Sequence, residues 1–421
     1  MENRKKILII GGGLTGLTAG IKLVESGNDV TIVEKNDYLG GLAAGFKNQK
    51  WKWNLEHHYH HVFATDESVR ELGNKVGAPV VLSEANTSVW NGEQLSKFDT
   101  PLAVLKYYDL SLISKFRLMF GMGLFKILPD GKWLDRWTAK SMIINLMGQE
   151  VWNKIWGPLF VGKFHQFSDQ VNGSWFWARI KARTQKLGYF EGGFSALIDR
   201  CGKEFENHGG EVYLKSEVNS IAVKGDKIHV DRDGKKEIYD QVLITLPALQ
   251  AKRITDIDYP AVPGLAACTL ILELNKPLLK DIYWLNILDS NYPFLALVEH
   301  TNWQDNKHYG NKHVVYLGKY IPVDDPLMKM DAKEIIKLYL PYIKKINKEF
   351  SVKSINNSWV FKANYAQPVF PLNHSKNIPS MVLAKGKIYW SSMDHVYPWD
   401  RGTNFAVKWG EKVAQLMLDN K

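Results

Sequence analysis

KILIIGGGLTGLTAGIKLVESGNDVTIVEK, residues 6–35, is the stretch that decides the fold. A short apolar strand runs into a glycine turn, then an amphipathic helix, and a second strand ends in an acid. This is the order of a dinucleotide-binding βαβ unit. Gly11 lets the chain turn sharply, Gly13 removes a side chain where a pyrophosphate approaches the backbone, and Gly16 lets helix and strand pack closely. The unpaired N–H groups of the helix start, at Leu14 and Thr15, then face the phosphate charge. Glu34 closes the second strand about 20 residues beyond the turn, where a carboxylate accepts the hydroxyls of an adenosine ribose and repels a 2′-phosphate. That favours FAD or NAD over NADP, with Lys35 beside the acid at the same edge.

Segments beyond the βαβ unit separate FAD from NAD. Leu39-Gly40-Gly41-Leu42 places a second glycine pair on the phosphate side. EGGFSALIDRCGKEFENHGGEVYLKSEVNSI, residues 191–221, reads as a glycine turn, a helix and a strand, with Phe194, Leu197, Ile198, Cys201 and Phe205 at helical spacing. DQVLITLPA, residues 240–248, is a further apolar strand, and KIYWSSMDHVYPWDRGTNFAVKWGEKVAQLML, residues 387–418, is a strand, a loop and a helix. On these blocks the chain resembles the FAD-dependent superfamily of amine oxidases, phytoene desaturases and protoporphyrinogen oxidases, and more distantly the UDP-galactopyranose mutases. The family often carries arginine after the glycine pair. Leu42 stands there, so only the backbone contacts of Gly40 and Gly41 carry over. The resemblance further implies that the backbone of Val218 meets the adenine edge and that Asp394 is the acid of the ribityl chain, although Met393 occupies a usual glycine position. It also implies that Gly402, Thr403 and Asn404 begin a helix facing the flavin ring, where unpaired N–H groups carry about half a positive charge.

The order of segments predicts an α/β protein with a Rossmann-like FAD-binding domain interleaved with an α+β substrate domain. Residues 1–85, 187–253 and 380–421 would form the first. Residues 86–186 and 254–379 would form the second, a sheet with helices behind it plus a helical lobe over 101–186. Hairpins are expected across Asn91-Gly92 and across residues 231–234, and a helix over AKEIIKLYLPYIKKINKEF, residues 332–350.

Composition agrees with a large globular enzyme: 421 residues, 45% hydrophobic and 23% charged. Cys201 and Cys268 are its two cysteines, with no CxxC spacing, which points to a reducing compartment and gives no thioether link to a flavin near the C-terminus. The apolar run Ile7 to Ile10 reads as a strand and not a signal peptide. A cytoplasmic location is expected, with membrane association as an addition, because no stretch of about 20 apolar residues is present.

That addition comes from the lobe. PLAVLKYYDLSLISKFRLMFGMGLFKILPDGKWLDRW, residues 101–137, mixes large apolar residues with Lys106, Lys115, Arg117, Lys126, Lys132 and Arg136, and the net charge is +10. The matching part of the resembling desaturases is a lobe through which a greasy substrate enters from the bilayer. A basic apolar helix can lie at a lipid interface, whereas ordinary packing with a solvated cationic face explains the same pattern. Nucleic acid is not expected as a partner, since the cations are spread and no recognition motif accompanies them.

Two further runs bear on chemistry. GQEVWNKIWGPLFVGKFHQFSDQVNGSWFWARIKAR, residues 148–183, is dense in aromatics, the usual mark of a core. Lys163 is placed inside it, either to snorkel to the surface or to lie near the flavin or an anionic substrate group. EHHYHH, residues 56–61, would, if extended, set Glu56, His58 and His60 on one face. Its imidazoles make a weak metal signal, so no metal is expected. His58 and His60 stand as catalytic candidates because imidazole titrates near working pH.

The expected function is hydride removal by an FAD-dependent oxidoreductase from a hydrophobic or lipid-linked small molecule. A flavin-dependent isomerase resembling the mutases is the first alternative. A non-enzymatic prenyl-protein binder resembling the Rab GDP-dissociation inhibitors is the second, and the intact Gly11, Gly13, Gly16 and Glu34 set speaks against it.

Overall fold

The computed structural model describes residues 4–256, 262–384 and 386–419. The ends of the predicted FAD-binding segments at residues 1–3 and 420–421, residue 385, and residues 257–261 of the predicted substrate segment lie outside them.

Strand Lys6–Ile10 (β1), helix Leu14–Glu25 (α1) and strand Asp29–Val33 (β2) form the βαβ unit. Strands β1 and β2 are almost wholly buried because helices and a further sheet cover both faces, which is why each reads as a continuous apolar run. They are central in a six-stranded sheet whose order is Glu211–Tyr213, β2, β1, Gln241–Ile244, Ile388–Trp390 and Val382–Ala384. The first five run parallel, and the last is an antiparallel edge. Helices Phe194–Asn207 and Thr403–Asp419 flank α1. A β-carbon at Gly410 would lie 2.6 Å from Thr15 O, so the terminal helix crosses α1 closely only because that residue is glycine. The apolar face expected from helical spacing is buried, with Phe194, Leu197, Cys201 and Phe205 at 0% exposure.

The second body is a seven-stranded sheet in the order Ile355–Pro368, Gly264–Leu274, His313–Ile321, Ala296–Glu299, Trp284–Ile287, Thr87–Trp90 and Leu95–Lys97. The hairpin expected across Asn91-Gly92 supplies its last two strands. Helix Ala332–Ile346 covers one face through Ile335, Tyr339 and Ile343, and a capping box of Asp331 and Glu334 fixes its start. It ends four residues before the predicted limit. Asn347 leaves helical geometry, and its side chain donates to Leu278 O at 2.9 Å and accepts from Glu349 N–H at 2.9 Å, a local competition that unwinds the last turn.

Helices Pro101–Lys106, Leu112–Ile127, Ala139–Met147, Gly157–Phe164 and Gly173–Ala182 make the lobe. Its core holds the aromatic run: Trp156, Phe160, Phe164, Trp175, Phe176 and Trp177 pack together. Helix Leu112–Ile127 is different in character. Leu118 and Phe125 turn inward, while Ile113, Phe116, Phe120 and Ile127 are 74%, 56%, 67% and 76% exposed.

Candidate functional site

The C-terminal ends of β1 and β2 meet the two glycine turns, and there the backbone builds a cradle. Gly40 N–H donates to Gly12 O at 2.8 Å, which lays the second glycine pair along the first turn. A β-carbon at Gly13 would meet nothing within 4 Å, and one at Gly41 would meet only Gly13 Cα, at 3.5 Å. Gly11 and Gly16 serve packing instead. Gly11 has φ 108°, and a β-carbon at Gly16 would lie 2.2 Å from Gly11 O. Leu42 is half-buried and Lys35 exposed at the cradle's rim.

Glu34 is buried at the end of β2. One carboxylate oxygen accepts from Gly12 N–H at 2.9 Å, and the other accepts from the backbone N–H and side-chain amide of Asn36 at 2.9 and 2.7 Å. The first oxygen keeps an acceptor site for a ribose hydroxyl. Sequence reasoning missed Asn36, whose position two residues after the strand-ending acid was the available signal. Ser216 N–H donates to Glu34 O at 3.0 Å and so brings Val218, buried at the start of strand Val218–Lys224, to the same end. FAD fits these residues: unfilled backbone at Gly13 and Gly41 and the start of α1 suit a pyrophosphate, and Glu34 suits a ribose.

The terminal block is arranged less simply. Asp394 is fully buried, with Tyr365 O–H donating to one oxygen at 2.7 Å and Ser392 O–H and Ala248 N–H donating to the other at 2.6 and 3.3 Å. Its carboxylate therefore joins the two bodies, and the oxygen that accepts only from Tyr365 keeps an acceptor site for a ribityl hydroxyl. Asn404 likewise spends its side-chain oxygen on Val69 N–H at 3.1 Å. Gly402 remains open, with nothing within 4 Å of a β-carbon built there, and its carbonyl accepts the Phe405 and Ala406 N–H groups at 3.1 and 3.0 Å. The N–H groups around Thr403 thus point out of a helix start.

EHHYHH does not continue as a strand, since regular pairing is Leu55–Glu56 alone and the alternation of faces is lost. Glu56 is a buried anchor: Tyr189 O–H donates to its two oxygens at 3.0 and 2.8 Å and Phe194 N–H donates at 2.8 Å. Burial nevertheless pushes this carboxyl up to about 7. His58 Nδ1 shares a hydrogen bond of 2.8 Å with Thr269 Oγ1, and His60 Nδ1–H donates to His58 O at 2.6 Å. Burial lowers His58 to about 3 and His60 to about 4, with Arg401 adding to both. Both rings are neutral at pH 7. This corrects the reading of them as acid/base groups titrating near working pH. His57 stacks on Phe361 with centroids 4.0 Å apart, and Tyr59 meets Trp284 edge-on.

Lys163 does not snorkel. It is 7% exposed, its Nζ lies 3.1 Å from Asp400 Oδ2, and it sits over the rings of Trp175 and Tyr320 at 4.8 and 5.4 Å from their centroids. Arg179 donates to the same Asp400 oxygen, and Arg401 donates to Tyr320 O–H. Burial lowers the Lys163 ammonium to about 7 against the pull of Asp400. Lys163, Arg179 and Arg401 hold Asp400 well below the usual carboxylate range in spite of its burial. Arg401 immediately precedes Gly402, and its charge reaches His58 and His60. Arg401 thus links Lys163, through Tyr320, and the two histidines, through its charge, to the helix start.

Comparison with known proteins places this geometry. The model of the family described as flavin containing amine oxidoreductase matches residues 14–418. The 4,4'-diaponeurosporene oxygenase of Staphylococcus haemolyticus is 54% identical over 53 residues, which are 13% of this chain and only 11% of that relative. A putative protoporphyrinogen oxidase from Exiguobacterium sp. 255-15 superposes with a TM-score of 0.78 at 17% identity, covering 99% of both chains. A reduced UDP-galactopyranose mutase superposes with a TM-score of 0.76 at 13% identity, covering 99% of this chain and 96% of the other. These two solved structures share the fold. With the family match running from α1 to the end of the terminal helix, the chain belongs to the flavin containing amine oxidoreductase family, and its cofactor is FAD.

Proposed function

We propose that the chain is an FAD-dependent oxidoreductase of the oxidase and desaturase kind, acting on a hydrophobic or lipid-linked small molecule. The open cradle of Gly13 and Gly41 carries this reading, because bare backbone at the ends of parallel strands serves a ligand that approaches it closely. The flavin, when bound, would supply hydride acceptance from a substrate C–H bond, including one on a carbon beside nitrogen, and pass the electrons on to an acceptor such as oxygen or quinone.

The chain's own residues bind, orient and exclude water. The N–H groups at the start of Thr403–Asp419 favour negative charge placed before them. Tyr59, packed edge-on against Trp284 and Tyr316, forms an aromatic wall beside His58 and His60, which serve as neutral hydrogen-bonding groups. Lys163 is the side chain suited to hold or release a proton near neutral pH, at Nζ.

The hydrophobic substrate is supported by 4,4'-diaponeurosporene, named for the staphylococcal relative, and by the lobe. Ile113, Phe116, Phe120 and Ile127 form an exposed apolar row on a basic lobe, which suits a lipid surface. Among the described residues no helix is long and apolar enough to cross a membrane, so the contact would be peripheral. Lys115, Arg117 and Lys126 donate to the carbonyls of Leu105, Asn145 and Lys181 at 2.9, 2.9 and 3.2 Å. Neutralising them would loosen the lobe as well as its charge, and the apolar row is the cleaner handle.

The test is an anaerobic titration. A true substrate should bleach the bound flavin, and an added acceptor should restore its colour. The second reading, flavin-dependent isomerisation, draws on the cationic site around Lys163. It requires the opposite outcome: pre-reduced protein rearranges a sugar nucleotide or lipid-linked sugar, and nothing bleaches the oxidised form.

A further inference from the structure

The cations around Lys163 outnumber their acids. Lys163, Arg179 and Arg401 come from two lobe helices and the loop before the terminal helix, and among the described residues Asp400 is the one carboxylate paired with them. Two positive charges are left without a carboxylate. Like charges gathered out of water are unfavourable unless something compensates them.

Polar atoms in the cluster are also left without partners. Arg401 Nε, Trp175 Nε1 and Asp400 Oδ1 are buried and lack a hydrogen-bond partner, and Trp175 is 3% exposed. The other Asp400 oxygen anchors Lys163 and Arg179, so this carboxylate acts as the template that fixes them. The cluster is not sealed. Arg179 is partly exposed, and Gly402, next to Arg401, is exposed with open space before it.

We propose that Lys163, Arg179 and Arg401 form a subsite for a phosphate or diphosphate ester carried by the substrate, beside the reacting end of the flavin site. Guanidinium groups match phosphate oxygens in a bidentate fork, and two uncompensated charges suit the two negative charges of a phosphate ester better than the single one of a carboxylate. Lys163 is the responsive member, because an anion beside it would raise an ammonium that burial has pulled down. The subsite deepens the oxidoreductase reading and rests on it: the substrate's apolar part would lie along the aromatic wall and its phosphate among these cations.

The experiment uses full-length FAD-loaded protein, its flavin content measured by absorbance first, with calorimetric titration of inorganic pyrophosphate, uridine diphosphate, farnesyl diphosphate and acetate. Binding of pyrophosphate at least tenfold tighter than acetate is expected. Arg401→Gln should weaken it at least tenfold, and Arg179→Gln, at a partly exposed position that tolerates change, several-fold. Lys333→Ala and Lys337→Ala, on the distant helix Ala332–Ile346, should leave it unchanged. Tighter binding of farnesyl diphosphate would assign the phosphate to a lipid, and tighter binding of uridine diphosphate to a nucleotide. FAD-loaded protein that ignores all three phosphates, or binds them equally after Arg179→Gln and Arg401→Gln, overturns the subsite and leaves the oxidoreductase reading standing. Folded protein without FAD would overturn that reading instead.

Discussion

The glycine cradle and the cation cluster are built by opposite means. The cradle is backbone: Gly13, Gly40 and Gly41 come from neighbouring turns, and what matters is the side chains they lack. The cluster is side chain: Lys163, Arg179, Tyr320 and Asp400 converge from distant stretches, and what matters is their burial and mutual charge. A nucleotide site is thus written locally, whereas reacting groups are assembled by tertiary packing.

The sharpest break of this contrast is at glycine. Gly13→Leu should leave the fold intact, since a β-carbon there meets nothing within 4 Å, yet reduce FAD affinity by about 100-fold or more. Gly16→Leu should prevent folding of the nucleotide sheet, because its first carbon would already lie 2.2 Å from Gly11 O. Circular dichroism alongside flavin absorbance separates the two. Equal loss of fold in both variants would erase the division between cradle and packing glycines.

On the side-chain half, Lys163→Met should retain FAD but slow flavin reduction by about 100-fold, the ordinary size of a lost proton-transfer group. The limb of the pH–rate profile near pH 7 should vanish with it, because burial sets Lys163 at about 7. A variant that slows turnover with that limb unchanged would make Lys163 a packing residue. His58→Asn should shift no limb near pH 7, since that ring titrates at about 3.

A smaller effect distinguishes anchor from catalyst. Glu56 rises from 4.5 to about 7 in the fold, mainly through burial. The folded state therefore holds its proton more tightly than the unfolded chain, and this contribution is full below pH 4.5 and lost as pH rises through 7. The shift corresponds to a loss on the order of 3 kcal/mol. His58 and His60 act in the other direction: their lowered values give stability present above about 6.5 and lost as pH falls toward 3 to 4. Glu56→Gln should flatten the decline in Tm between about pH 5 and 8 and leave the acid-side loss in place.

The smallest change in stability belongs to the lobe. Ile113→Ser, Phe116→Ser, Phe120→Ser and Ile127→Ser should each alter stability by about 0.5 kcal/mol or less, while together they abolish sedimentation with anionic vesicles. Unchanged sedimentation would return the exposed row to chance.

The backbone half of the site was legible in the sequence. Gly11, Gly13, Gly16 and Glu34 stand at spacings that only one local geometry uses, and the buried face of Phe194–Asn207 comes from helical period. The side-chain half was not. Nothing local says that Lys163 is buried over Trp175, that Asp400 pairs with it, or that Tyr365 from the other sheet claims Asp394. The histidines were located, but their protonation depends on burial by Thr269 and distant aromatics, which no spacing of residues encodes.

Whether the glycine cradle holds the cofactor is decided by the flavin content of the native protein beside that of Gly13→Leu. One FAD per chain, released on denaturation, is expected in the native protein, and none in a Gly13→Leu variant whose circular dichroism is unchanged. A native protein that folds without FAD and takes none up, or a folded Gly13→Leu variant that keeps it, would contradict the assignment.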